Sequence, residues 1–157
     1  MALKDASLRV ARALEELGLQ VDIVQFPDST RTAQQAASAV GTTVGQIVKS
    51  LVFVADGEPI LLLVSGSNRV DPDKVSRVLG KQIERADAET VRLATGFAIG
   101  GVPPVGHRRR LLTLIDRDLL DYERVWAAAG TPNAVFAIDP RDLVRATGGQ
   151  VVDLKEN

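Results

Sequence analysis

A chain of 157 residues with 45% hydrophobic and 25% charged residues has the balance of a packed globular protein, and at this length one domain, residues 1–157, accounts for it. A formal net charge of −1 excludes a global positive field that would draw the chain to nucleic acid or an anionic membrane, so any polyanion must be met locally. The absence of cysteine excludes a disulfide framework, a thiolate nucleophile and sulfur-ligated metals, and a single histidine excludes a multi-histidine metal centre.

The N-terminal stretch MALKDASLRVARALEELG mixes charge with apolar residues and lacks the apolar region and cleavage site of a signal peptide. No run approaches the ~18 apolar residues of a membrane span, so the expected address is the cytoplasm. Leu8, Ala11, Leu14 and Leu17 fall at helical spacing, with Gly18 as the stop. LQVDIVQF then alternates as a half-buried strand ending at Pro27. Thr32 with Gln35 and Thr43 with Gln46 each match a capping box, which predicts a helix ending at Gly41 and a second barely one turn long. KSLVFVADGEPILLLVSG reads as two apolar strands joined at Asp56-Gly57, a hairpin signal.

Asp71-Pro72 opens a helix that should stop near Gly80. A short strand around Ile83 and a helix from Asp87 to about Thr95 follow. The loop FAIGGVPPVGH precedes the strand RRLLTLID. RVWAAAG and AVFAID, separated by TPN, read as a second hairpin, although the alanines leave a helical first arm open. Asp139-Pro140 starts a last helix and QVVDL a last strand. Helices placed singly between hairpins predict a mixed, largely antiparallel sheet with peripheral helices, of α+β type, over a doubly wound parallel one.

Lys49 stands where the first hairpin strand begins. Strand alternation puts it on the face of Leu51 and Phe53, opposite Ser50, Val52 and Val54. A buried ammonium is costly unless paired or facing an anion, which makes it a functional candidate; the alternative is a lysine that snorkels from the strand edge into water. In GGVPPVG the glycines permit close ligand approach and the prolines stiffen the loop. Pro103 and Pro104 have no N–H, so an anion there must be held by Gly101, Val102, Val105 or Gly106. The string is neither a P-loop nor GxGxxG, and many such loops are only turns.

His107, followed by Arg108, Arg109 and Arg110, directly follows this loop; it is either functional or the start of a solvated edge. Arg31 lies just before a helix start, where it can reach a phosphate or stay exposed. Tyr122 and Trp126, four apart, are explained by packing. No GxSxG, HExxH, metal-spaced carboxylate cluster or evident Ser-His-Asp set is present. An enzyme built from this chain therefore works through positioning and electrostatics, without a covalent intermediate.

TRTAQQAASAVGTTVGQIVKSLVF, SGSNRVDPDKV, GFAIGGVPPVGH and TPNAVFAIDPRDLVRATGG, in this order from about Thr30 to the C-terminus, resemble the YbaK/EbsC family, related to the editing insertion domain of bacterial prolyl-tRNA synthetases. The family lysine at the start of the first hairpin strand matches Lys49, and its GxxxP loop matches Gly100 to Pro104. The resemblance implies a barrel-like mixed sheet with helices around it and trans-acting hydrolysis of wrongly charged tRNA, usually tRNA(Pro), without cofactor or metal. It implies catalytic roles for Lys49, Gly101 and Val102, the latter two as N–H donors to oxyanion charge. Gly100, Pro103, Pro104, Ser50, Arg31, Thr30 and His107 are the implied substrate contacts.

Relatives that clear alanine tend to carry asparagine after the lysine, and cysteine-clearing ones threonine. Ser50 is closer to the latter, which points to cysteine or another small non-cognate residue. The GTPN segment lacks the histidine of the synthetase domain, leaving His107 as a candidate substitute in space. The implied partners are the acceptor end of aminoacyl-tRNA and a prolyl-tRNA synthetase, with neither membrane nor DNA; monomer and homodimer both fit. Two other functions stay open: a non-catalytic module binding a tRNA end or nucleotide, and hydrolysis of a small ester or amide.

Overall fold

The computed structural model describes residues 3–157, so the first two residues of the N-terminal stretch lie outside the described residues. Helix α1, Asp5–Glu16, buries Ser7, Val10 and Leu14 and ends before Gly18, whose φ is 79°. Strand β1 covers only Ile23–Gln25, shorter than the alternating run, because β7 is its sole partner and pairs with just these residues. Helix α2, Ala33–Val40, starts with the expected capping box: Gln35 N donates to Thr32 Oγ1 at 3.1 Å and Thr32 N to Gln35 Oε1 at 3.2 Å.

The second expected box does not form. Val44–Gln46 is a 3₁₀ turn, and Thr42 and Thr43 both donate to Gln46 Oε1, at 2.5 and 3.0 Å. The Gln46 amide nitrogen is committed to Arg124 O at 3.1 Å, which ties the turn to a distant loop instead of capping it.

Strands β2, Val48–Ala55, and β3, Glu58–Ser65, form the predicted hairpin. Asp56 and Gly57 have φ of 48° and 84°, the two left-handed positions of a type I′ turn. Helix α3, Pro72–Leu79, strand β4, Ile83–Arg85, and helix α4, Ala88–Thr95, follow, the helices capped by Asp71 and Asp87. Strand β5, Leu112–Asp116, runs into a 3₁₀ turn over Arg117–Asp121 that the periodicity did not indicate. The second hairpin is β6, Val125–Ala128, with β7, Ala134–Ile138; cross-strand pairing with β7 overrides the helix propensity of its alanines. Helix α5, Pro140–Thr147, and strand β8, Gln150–Val152, end the chain.

The strands form a five-stranded sheet, β4-β2-β3-β5-β8, and a three-stranded one, β1-β7-β6. Pairing is largely antiparallel, with β3–β5 and β5–β8 parallel. The expected mixed, largely antiparallel sheet with helices around it is present, as two sheets that meet, among the described residues, at the bridge Ile47–Trp126 and do not close into a full barrel. One core gathers Val48, Val52, Leu61, Leu63 and Ile115 with β6–β7 and helices α1, α4 and α5. A second covers the opposite face with Phe53, Leu62, Val64, Leu114, Val75 and Leu154. Burial on both faces explains the uninterrupted apolar run of β3.

Candidate active site

The two sheets leave a gap beside β2. β3 covers one edge of β2 throughout, whereas β4 pairs with the other only at Phe53, Val54 and Ala55, and the bridge to Trp126 sits at Ile47. Between these anchors Val48, Lys49, Ser50, Leu51 and Val52 all line a cleft of about 420 Å³. Successive strand residues can share one cavity because it runs along the strand's free edge. Residues 30–34 before and within α2, Arg85 and Ala86, Ile99–Gly100 with Val102, and Trp126–Ala128 complete the walls.

Lys49 is half-buried, and its ammonium donates to Asn68 O. Both faces of β2 are covered, so the choice between an inward and a snorkelling lysine resolves into a side chain pinned to a loop carbonyl. Burial first, and then the neighbouring Arg85 charge, hold its pKa below the ordinary lysine value; Asp116 opposes this and Arg69 adds to it. Ser50 faces the first core, and its Oγ is buried without a hydrogen-bond partner. A lone buried hydroxyl at a cleft wall is a vacant donor and acceptor site.

The glycine-proline loop is built from behind. Gly101 N donates to Ala98 O at 3.0 Å, closing a turn whose third residue, Gly100, has a φ of 92° that a side chain would resist. Gly101 therefore lacks the free N–H expected of an oxyanion donor, and it does not line the cleft. Its role is close packing: a Cβ here would lie 2.8 Å from Thr131 Cα and C. Val102, 4% exposed, lines the cleft, and its N–H has no intramolecular partner among the described residues.

Pro103 and Pro104 are buried and do not line the cleft. His107 is also outside the cleft lining. Its Nε2 bonds Pro103 O at 2.6 Å, which requires the proton on Nε2 because a carbonyl only accepts. Burial lowers its pKa from the ordinary 6.5, while the bond to Pro103 pulls the other way. Phe97 packs edge-on to His107, and Arg9 of α1 covers the Phe97 ring. The geometry gives His107 the position of a loop anchor.

Thr30 is anchored by Pro132 O, which accepts from Thr30 N at 2.7 Å and from Thr30 Oγ1 at 3.2 Å. That places Arg31 at the mouth, its side chain lying across Gly100: a Cβ on Gly100 would sit 2.7 Å from Arg31 Nε. Arg85, which sequence reasoning missed, is brought to the opposite wall by pairing with Phe53, and its guanidinium lies 5.5 Å from the Phe53 ring centroid. Its strand is three residues long and carries no local signal of this placement. Trp126, expected only to pack, also lines the cleft.

Arg31, Lys49 and Arg85 make no ion pair among the described residues, and no carboxylate or imidazole lines the cleft. The cleft is thus lined by Arg31 and Arg85 without ion-pair partners and by a half-buried Lys49. Such an arrangement receives an anionic ligand and stabilises negative charge. Arg108, Arg109 and Arg110 are exposed outside it, with Arg109 paired to Glu58 at 3.0 Å. No group of three or more metal-ligating residues occurs among the described residues.

A family model described as "Aminoacyl-tRNA editing domain" matches residues 27–146. A crystal structure described as "a putative trans-editing enzyme for prolyl tRNA synthetase" is 53% identical, with a TM-score of 0.95 over 99% of this chain and 100% of that one. A protein of Enterococcus faecalis named "Putative Cys-tRNA(Pro)/Cys-tRNA(Cys) deacylase EbsC" is 24% identical over 125 residues, 78% of this chain and 76% of its own. The proline–tRNA ligase of Elusimicrobium minutum is 33% identical over 99 residues, 62% of this chain and 17% of the ligase.

Proposed function

The chain belongs to the aminoacyl-tRNA editing domain family, and from that premise we propose that residues 1–157 act as one trans-editing domain that hydrolyses the ester of mischarged tRNA. The observation that carries this reading is the cleft itself, with three unpaired cations, no acid in its lining and Lys49 at its inner wall. The terminal phosphodiesters of the acceptor end meet Arg31 and Arg85 at the mouth, and the aminoacyl ester reaches in towards Lys49.

The ester is already activated, so water attacks its carbonyl carbon without a protein nucleophile. The new C–O bond forms as the carbonyl electrons move onto oxygen. That oxyanion takes hydrogen bonds from the Lys49 ammonium or the Val102 N–H, both fixed before substrate arrives. On collapse the bond to the ribose oxygen breaks, and that oxygen takes up the proton released by the attacking water. The products are a free amino acid and an intact tRNA end. Gly101 and His107 serve by holding the loop that carries Val102.

The substrate is tRNA(Pro) bearing cysteine or another small residue. The unpartnered Ser50 hydroxyl favours a side chain able to share a hydrogen bond, and the apolar walls Val52, Ala127 and Val135 favour a small one. A prolyl-tRNA synthetase supplies recognition of the tRNA body, for which the near-neutral chain has few groups. The reaction belongs in the cytoplasm; no helix among the described residues is long and apolar enough to cross a membrane. A panel of tRNAs charged with cysteine, alanine, serine and proline tests the reading. Release of a non-cognate amino acid with the cognate ester spared is expected; binding without release from any of them would leave the second reading, a module that only holds the tRNA end. The lack of a general base in the cleft lining favours that second reading.

A further inference from the structure

Behind Lys49 lies a polar cluster that the cleft does not include. The carbonyl receiving the ammonium belongs to Asn68, which follows β3 in a turn closed by Asn68 N donating to Ser65 O at 2.9 Å. The Asn68 side chain forks: Nδ2 donates to Asp116 Oδ2 at 2.8 Å and to Asp118 Oδ2 at 2.9 Å. Both partners are acceptors, so the amide nitrogen must face them.

Each carboxylate is fixed in turn. Asp116, 1% exposed, accepts from Ser65 N at 3.0 Å and from Asp118 N at 3.0 Å. Asp118 accepts from Lys155 Nζ at 2.6 Å. The C-terminal segment closes over the same turn, with Glu156 N donating to Arg69 O at 2.8 Å and Asp71 N to Leu154 O at 2.7 Å.

These bonds restrain the turn on several sides, and among the groups they hold is the Asn68 carbonyl that receives the Lys49 ammonium. We infer that Asn68 is the positioning residue for Lys49: its amide, forked between Asp116 and Asp118 and backed by Lys155, fixes the carbonyl that holds the ammonium in place at the cleft wall. Lysine has four rotatable side-chain bonds, so an unanchored Lys49 would sample many positions, and a loss of aim costs rate far more than binding. The charges facing Lys49 are Arg85 from β4, Asp116 from β5 and Arg69 from the loop after β3. Asn68 itself does not line the cleft.

The inference rests on Lys49 being the lysine at the reacting centre, and its test separates the two claims. Acetic anhydride labelling of the free protein across pH, read at the Lys49 peptide by mass spectrometry, reports the ammonium without tRNA. Asn68→Asp adds a carboxylate beside Asp116 and should move the Lys49 midpoint up by on the order of one pH unit. Asn68→Ala frees the carbonyl, weakens a bond that favours the charged form, and should move it down. On mischarged tRNA, Asn68→Ala should lower kcat about tenfold or more while KM stays within about twofold.

Unmoved midpoints, or both moving up together towards an ordinary lysine, would overturn the inference, the latter because general loosening has that effect. Opposed shifts in a protein whose wild type releases no amino acid would retain the Asn68 coupling and sink the deacylase reading. If Asn68→Ala fails to fold, Asn68→Ser, which removes the fork but keeps a small polar side chain, carries the same expected downward shift, and an upward shift in it overturns the inference.

Discussion

Gly101→Ala isolates what the glycine-proline loop does. The added Cβ would lie 2.8 Å from Thr131 Cα and C and 2.9 Å from Thr131 N. Carbon atoms settle at about 3.5–4.0 Å, so the gap is short by roughly 0.7 Å or more. All three neighbours are backbone atoms of a segment that cannot easily retreat, because Pro132 O holds Thr30 and Asn133 Nδ2 donates to Phe26 O at 2.7 Å. Overpacking of this kind costs about 1–3 kcal/mol. At roughly 2–4 °C per kcal/mol for a chain of this size, Tm should fall by about 2–12 °C.

Relief by moving the loop shifts Val102 in the cleft wall, and a displacement near 1 Å lowers kcat about 100-fold. Calorimetry with single-turnover deacylation reads both effects. A variant with wild-type Tm and wild-type rate would refute the claim that the loop is positioned by close contact with Thr131.

Three further outcomes follow from the same geometry. Arg85→Ala should weaken tRNA binding and reduce the magnitude of the log-log salt slope by about 0.7, the share of one single-strand phosphate; an unchanged slope in filter binding would remove Arg85 from the mouth. Ser50→Ala should reduce discrimination for cysteinyl over alanyl esters by about tenfold, equivalent to one hydrogen bond, measured as the ratio of kcat/KM values. His107 is part-buried, and burial lowers its pKa from 6.5. The unfolded chain therefore takes up this proton first: the stabilisation is full above pH 6.5 and is lost as pH falls through the folded value, so thermal melts between pH 7 and 5 should show wild type losing ground to His107→Gln.

The legible parts of the molecule were those written locally. Thr32 with Gln35, Asp71-Pro72, Asp87 and Asp139-Pro140 each start a helix within a few residues of the signal, and Asp56-Gly57 turns a hairpin by its own backbone preference. Lys49 was conspicuous because charge is costly at the start of an apolar strand. Thr43 misled because its box partner, Gln46, found Arg124 O across the fold. Arg85 gave no warning, since only pairing with Phe53 carries it to the cleft, and Asn68 none, since its fork joins residues 48 and 50 positions away. The loop's composition leaves four candidate donors and the family resemblance narrows them to Gly101 and Val102, whereas the Ala98 carbonyl that takes the Gly101 N–H is fixed by the turn geometry.

The role proposed for the half-buried ammonium of Lys49 is to stabilise the transition state for ester cleavage. The most direct test is Lys49→Met, which keeps the length and apolar bulk of the side chain, assayed against wild type by single-turnover release of cysteine from tRNA(Pro). A loss of about 100-fold or more in rate, with Tm retained and tRNA binding reduced by less than tenfold, is the predicted result. A Lys49→Met protein that clears the mischarged tRNA at the wild-type rate would contradict it.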